Sequence, residues 1–116
     1  MSLLSNQFML KVVASEIEKQ IGRDVVKYDL IYNDKSFNTS FRVYEDPDNG
    51  KSELYAYEDS RTLSTMIKTL AETQLKNTNQ KLELVIVHYH SQIEAENYAD
   101  IYFMENAEKI HIKFNY

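Results

Sequence analysis

Residues 81–90 read KLELVIVHYH, the most continuously apolar run in the chain. The run is too short for a core helix and rich in β-branched residues, which marks a buried strand in the middle of a sheet. It also holds the one local spacing with chemical content, because His88 and His90 lie two apart and share a strand face.

Downstream of this run the pattern predicts strands at about 98–104 and 109–116. The last alternates cleanly, with Ile110, Ile112, Phe114 and Tyr116 on one face and Lys109, His111, Lys113 and Asn115 on the other. Upstream, Asp59 or Ser60 opens a helix over about 61–76 whose buried stripe is Leu63, Met66, Ile67, Leu70 and Ala71. Three strands come before it. In 25–32 the even positions Val26, Tyr28, Leu30 and Tyr32 are apolar; 37–45 places Phe37, Phe41 and Val43 on one face; 52–57 is the third. Asn33–Ser36 and Asp46–Gly50 are the turns between them, by residue type. The first helix runs over about 6–21, capped by Ser5, with Leu10, Val13, Ala14, Ile17 and Ile21 on one stripe. Gly22 stands where a left-handed residue ends a helix.

The order is thus α-β-β-β-α-β-β-β. A shift of 54 positions lays Tyr28, Leu30 and Tyr32 over Leu82, Leu84 and Ile86, a repeat of shape rather than of identity. Short connections imply antiparallel pairing, and two one-sided helices imply a two-layer α+β sandwich with both helices on one sheet face. At 116 residues the chain is expected to form a single domain, 1–116. The other sheet face is then open, and Val85, Val87 and Tyr89 are expected on it. Nine tyrosines and no tryptophan suit such a half-wet surface. Strand propensity alone accounts for tyrosines; a contact surface for a second copy or for another protein is the functional reading.

Composition narrows the classes. With no cysteine, disulfides, thiolate zinc sites and thiol nucleophiles are excluded. A net charge of −5 disfavours nucleic acid and anionic membranes, and no basic strip interleaved with aromatics appears along the sequence. MSLLSNQFML lacks a basic n-region and a long apolar h-region, so no signal peptide is expected. No stretch approaches the roughly 18 apolar residues of a membrane span. A soluble, cytoplasmic protein is the expectation, with no cofactor.

Few motifs carry chemistry. His88, His90 and Glu94 have the spacing His-x-His-x-x-x-Glu, able to hold a divalent transition metal. That spacing resembles the first metal motif of cupins. Leu82 and Ile101 replace its flanking glycines, though, and no second motif follows. The plainer reading is that both histidines end a strand at a sheet edge. His111, between Lys109 and Lys113, reads as solvated. Asp46-x-Asp48-Asn49-Gly50 resembles the opening of a calcium loop, but its glycine comes one position early and Glu53 misses the closing position. Glu94 with Glu96, and Glu16 with Glu18, lack the apolar surroundings of a tuned acid/base pair. No phosphate-binding glycine loop, G-x-S-x-G elbow or H-E-x-x-H helix is present, so nothing nominates an enzyme.

Two resemblances point to partner binding. Ile101-Tyr102-Phe103-Met104-Glu105-Asn106, followed by 109–116, resembles the terminal hairpin of YezG-type immunity proteins. This implies a small acidic α+β protein that neutralises a partner toxin. The element order is also similar to type III secretion chaperones, acidic dimers that hold a secreted partner. Asp46, Asp48, Glu53, Glu58 and Asp59 form the densest acidic neighbourhood and are the candidate surface for a basic partner, steered by charge.

Overall fold

The computed structural model describes the backbone of residues 6–22, 24–46, 51–56, 60–74, 81–105 and 109–113; side chains at 6–10, 45, 46, 51–56, 74 and 94 lie outside the description. The elements are α1 (Asn6–Ile21), β1 (Lys27–Asn33), β2 (Asn38–Asp46), β3 (Lys51–Ala56), α2 (Arg61–Gln74), β4 (Leu82–His90), a 3₁₀ turn at Glu94–Glu96, β5 (Tyr98–Phe103) and β6 (Lys109–Lys113). One six-stranded sheet has the order β3-β2-β1-β4-β5-β6, antiparallel at every pairing. Each half of the chain is a helix followed by a meander, and the halves meet where β1 pairs with β4. The expected α+β class and element order are observed.

Both helices end or begin by rules visible in their sequence. Gly22 has φ of 75° and its N–H bonds to the Glu18 carbonyl at 2.9 Å, closing α1. The Glu18 carboxylate then accepts the Val25 N–H at 3.2 Å, steering the chain into β1. At α2 the Ser60 carbonyl accepts the Ser64 N–H, while the Ser60 hydroxyl does not cap the helix. It accepts the Thr39 N–H at 3.0 Å and donates to Asn38 at 2.7 Å, stitching α2 to β2. Ser5, Asp59 and the Asp46–Gly50 turn beyond Asp46 lie outside the described residues.

The core lies between the helices and one sheet face. Val13, Ala14 and Ile17 of α1 and Leu63, Ile67, Leu70 and Ala71 of α2 meet Tyr28, Leu30 and Tyr32 of β1, Phe41 and Val43 of β2, and Ala99, Ile101 and Phe103 of β5. From β4 the core takes Val85, Val87 and Tyr89, which corrects the sequence expectation. Register decides it: Leu30 is opposite Val87 and Tyr32 opposite Val85, so these pairs share the helix-covered face. An even shift of 54 aligned the two halves one residue out of phase, and a one-residue slip turns every side chain over. Tyr28 and Tyr89 stack at 5.0 Å between ring centroids across this central pair.

A second correction concerns Phe37. It is no strand residue but closes the β1–β2 turn at φ 49° and is 39% exposed. Its ring meets Tyr32 edge-on at 6.2 Å. The Tyr32 hydroxyl donates to Asp34 at 2.6 Å, and Lys68 of α2 pairs with the same carboxylate at 3.3 Å. Burial first, then the Asp34 hydrogen bond and the negative charge of Asp34 and Glu72, push the Tyr32 phenol up from its ordinary value.

Candidate functional site

With the helices on one side, the opposite face of the sheet carries Lys27, Asp29 and Ile31 from β1, Ser40, Arg42 and Tyr44 from β2, and Leu84, Ile86 and His88 from β4. Tyr98, Asp100 and Tyr102 of β5 and Lys109, His111 and Lys113 of β6 complete it. The apolar members Leu84 and Ile86 are half-buried, and Ile31 in the centre is 47% exposed.

Two carboxylate–imidazole pairs organise this face. Asp29 Oδ1 lies 2.7 Å from His88 Nδ1, and Asp29 Oδ2 accepts the Tyr44 hydroxyl at 2.6 Å. Asp100 Oδ1 lies 2.5 Å from His111 Nδ1, with Lys109 Nζ 3.6 Å from its other oxygen. Tyr98 stands between the two imidazoles, 4.5 Å from His88 and 5.1 Å from His111 between ring centroids. His111 is therefore not simply solvated; cross-strand register sets it opposite Asp100. Lys27 lies 4.7 Å over the Tyr44 ring and Lys109 5.7 Å over Tyr102.

Burial drives the Asp29 carboxyl up, but hydrogen bonds from His88 and Tyr44, with the charge of His88 and Lys27, outweigh it. The group is held below the ordinary aspartate range. The same hydrogen bond, seen from the phenol, raises Tyr44, with burial and the Asp29 charge adding to it.

Two shallow clefts share the Asp29–His88 pair as a wall. One, of about 160 Å³, is lined by Lys27, Tyr89, Glu96 and Tyr98 besides that pair. The other, of about 240 Å³, is more apolar and is lined by Ile31, Ser40, Phe41, Arg42 and Ile86 besides the pair. An imidazole oriented by a carboxylate through Nδ1 is one component of general-base chemistry. The described residues add no hydrogen-bonded nucleophile to either histidine. Cations and aromatics absent as a strip in the sequence do meet here across strands. The rings of His88, Tyr98 and His111 lean on one another, so that Tyr98 meets an imidazole on either side.

The sequence candidates fall in different places. His88 is on the open face. His90 ends β4 inside the sheet rather than at an edge, and is 4% exposed. Its Nδ1 accepts the Gln92 N–H at 3.1 Å, while Asn97 clamps its backbone: His90 N–H to Asn97 Oδ1 at 2.6 Å, Asn97 Nδ2 to the His90 carbonyl at 3.0 Å. Glu94 lies in the 3₁₀ turn, its side chain outside the description. Among the described residues no group of three or more His, Asp or Glu is placed to hold a metal ion. Of the acidic neighbourhood, Asp46 ends β2 and Glu53 pairs with Val43 in β3, with their side chains outside the description; Asp48, Glu58 and Asp59 lie outside the described residues. Sequence reasoning missed Asp29, Tyr44, Tyr98 and Asp100. The signal for them was alternation, since each falls on the polar phase of its strand.

No helix among the described residues is long and apolar enough to cross a membrane. Comparison with protein-family models, curated proteins and solved structures found no match.

Proposed function

We propose that this is a non-enzymatic protein-binding module that docks a partner protein on the helix-free face of its sheet, as a small inhibitor or immunity protein does. The observation that carries the reading is Ile31, 47% exposed at the centre of a six-stranded sheet beside half-buried Ile86. An isoleucine with polar neighbours Asp29, Arg42 and His88 has the anatomy of an interface centre, apolar within and polar at the rim. The resemblance of 101–116 to the terminal hairpin of YezG-type proteins supports the immunity role, and the net charge of −5 supports a basic partner.

Capture from lysate of the source organism tests this, with wild-type protein, Ile31→Lys and Glu72→Lys on exposed α2 as parallel baits. One partner at near-equal stoichiometry, lost with Ile31→Lys and kept with Glu72→Lys, supports the docking face. Equal capture by all three rejects it. Loss only on charge reversal at Asp48 and Glu53 moves the interface to the acidic hairpin, and a bait that retains only copies of itself makes the face a homodimer contact.

A further inference from the structure

The two cations nearest Ile31 on the helix-free face are placed differently. Lys27 has its counter-charge at hand: it acts on the Asp29 carboxyl together with His88, and its ammonium lies over the Tyr44 ring. Arg42 stands directly opposite Asp29 in the β1–β2 register, yet that carboxylate is already engaged, Oδ1 with His88 and Oδ2 with Tyr44. Among the described residues the Arg42 guanidinium has neither an ion pair nor a hydrogen bond. Arg42 is exposed and lines the cleft of about 240 Å³ together with Ile31, Ile86 and Ser40. Ser40 lies two residues before it on the same strand face, half-buried, and its hydroxyl has no hydrogen bond among the described residues.

A partner that covers Ile31 therefore takes Arg42 out of water with it. A guanidinium buried without a counter-charge is strongly unfavourable, so the covering surface must bring an anion to this point. The rest of the face has the same sign. Among its described side chains Lys27, Arg42, Lys109 and Lys113 outnumber Asp29 and Asp100, even with Glu96 added at the rim. Protonation of His88 or His111 only adds to this. A chain of net charge −5 thus turns a locally positive face outward.

We propose that this cleft receives a glutamate or aspartate side chain of the docked partner, its carboxylate on the Arg42 guanidinium with the Ser40 hydroxyl as a further donor. An apolar neighbour in the partner then sits over Ile31 and Ile86. A guanidinium fork meets a carboxylate through two parallel hydrogen bonds, which fixes the orientation of the docked segment. The proposal rests on the docking reading and narrows it: the segment at the centre of the face is acidic, whatever the charge of the rest of the partner.

The test uses acetyl-Leu-Glu-Leu amide, whose one charge is the glutamate, titrated into the full chain and followed by amide chemical shifts. Acetyl-Leu-Gln-Leu amide is the neutral control. Saturable shifts at Ile31, Ser40 and Arg42 are expected with the glutamate peptide. Binding should be about tenfold weaker for the neutral peptide, and weaker by a similar factor in Arg42→Gln, the worth of a charge-assisted hydrogen bond. Lys113→Gln removes the same charge from β6, at the far edge of the same face, and should change nothing. Both positions are exposed, so neither substitution should lower the melting temperature. No saturable shift, equal binding of the two peptides, or equal weakening by Arg42→Gln and Lys113→Gln overturns the proposal. So does a uridine oligonucleotide that binds at these residues more tightly than the glutamate peptide. If the peptide fails while Ile31→Lys still abolishes capture, the docking face stands without the acidic anchor. If the peptide binds through Arg42 while Ile31→Lys leaves capture intact, the docking reading falls and only the carboxylate cleft remains.

Discussion

Strand β4 has two faces with the same kind of residue and different fates. Val85, Val87 and Tyr89 are at most 8% exposed under the helices, whereas Leu84, Ile86 and His88 on the other side are half-buried with no helix or strand above them among the described residues. Hydrophobicity does not distinguish the two sides. What does is what each meets across the sheet: Leu30 and Phe41 continue the row of Val87, while Asp29, Asp100 and their histidines border Ile86. The first face is there to hold the fold; the second is apolar in its middle and pinned by charge pairs around it.

The largest consequence should come from exchanging the two environments. Val87→Asp buries a carboxylate against Leu30 and Ala99, and is expected to cost more than about 4 kcal/mol, enough to leave the chain largely unfolded by circular dichroism. Leu30→Ala opens a cavity at a fully buried site and should cost about 2–5 kcal/mol in urea unfolding, with little change in slope. A loss under 1 kcal/mol there would mean that the central row is not the core.

Asn97→Ala comes next. It removes the side chain that pairs with both backbone groups of buried His90, at about 2–3 kcal/mol. Its effect should fall on stability and on amide exchange at His90, since the clamp is structural.

Asp29→Asn should cost about 1 kcal/mol at neutral pH, because the carboxylate is partly solvated and keeps only some of its bonds as an amide. Its pH dependence is more telling. Asp29 binds its proton more weakly folded than unfolded, so its contribution is complete above the unfolded value and fades as pH falls through the folded one. The gap between wild type and Asp29→Asn should therefore narrow as pH drops below about 4. A constant gap from neutral to acid would contradict the pairing with His88 and Tyr44.

Much of this was written in local pattern. The helical stripes, the Gly22 stop and the turn at Asn33 follow from residue type and period, and they land where the sequence puts them. The phase of β4 was not legible, because a run apolar on both faces carries no alternation to read. It is set by pairing with β1, a partner far away in sequence. The same holds for the site. Asp29 and His88 are 59 residues apart and meet only because β1 and β4 adjoin, so a search for short spacings found His88 with His90 instead. Phe37 misled for another reason: an aromatic beside a turn looks like a strand start until the left-handed backbone is seen.

The central claim is that the helix-free face is where the partner sits. Hydroxyl-radical footprinting of the protein alone and in its captured complex reads this residue by residue. Ile31, Tyr98, Tyr102 and His111 should lose reactivity on binding, while Phe37, exposed at the β1–β2 turn, should keep it. Unchanged reactivity across those four residues in a stoichiometric complex would place the partner elsewhere and contradict the account.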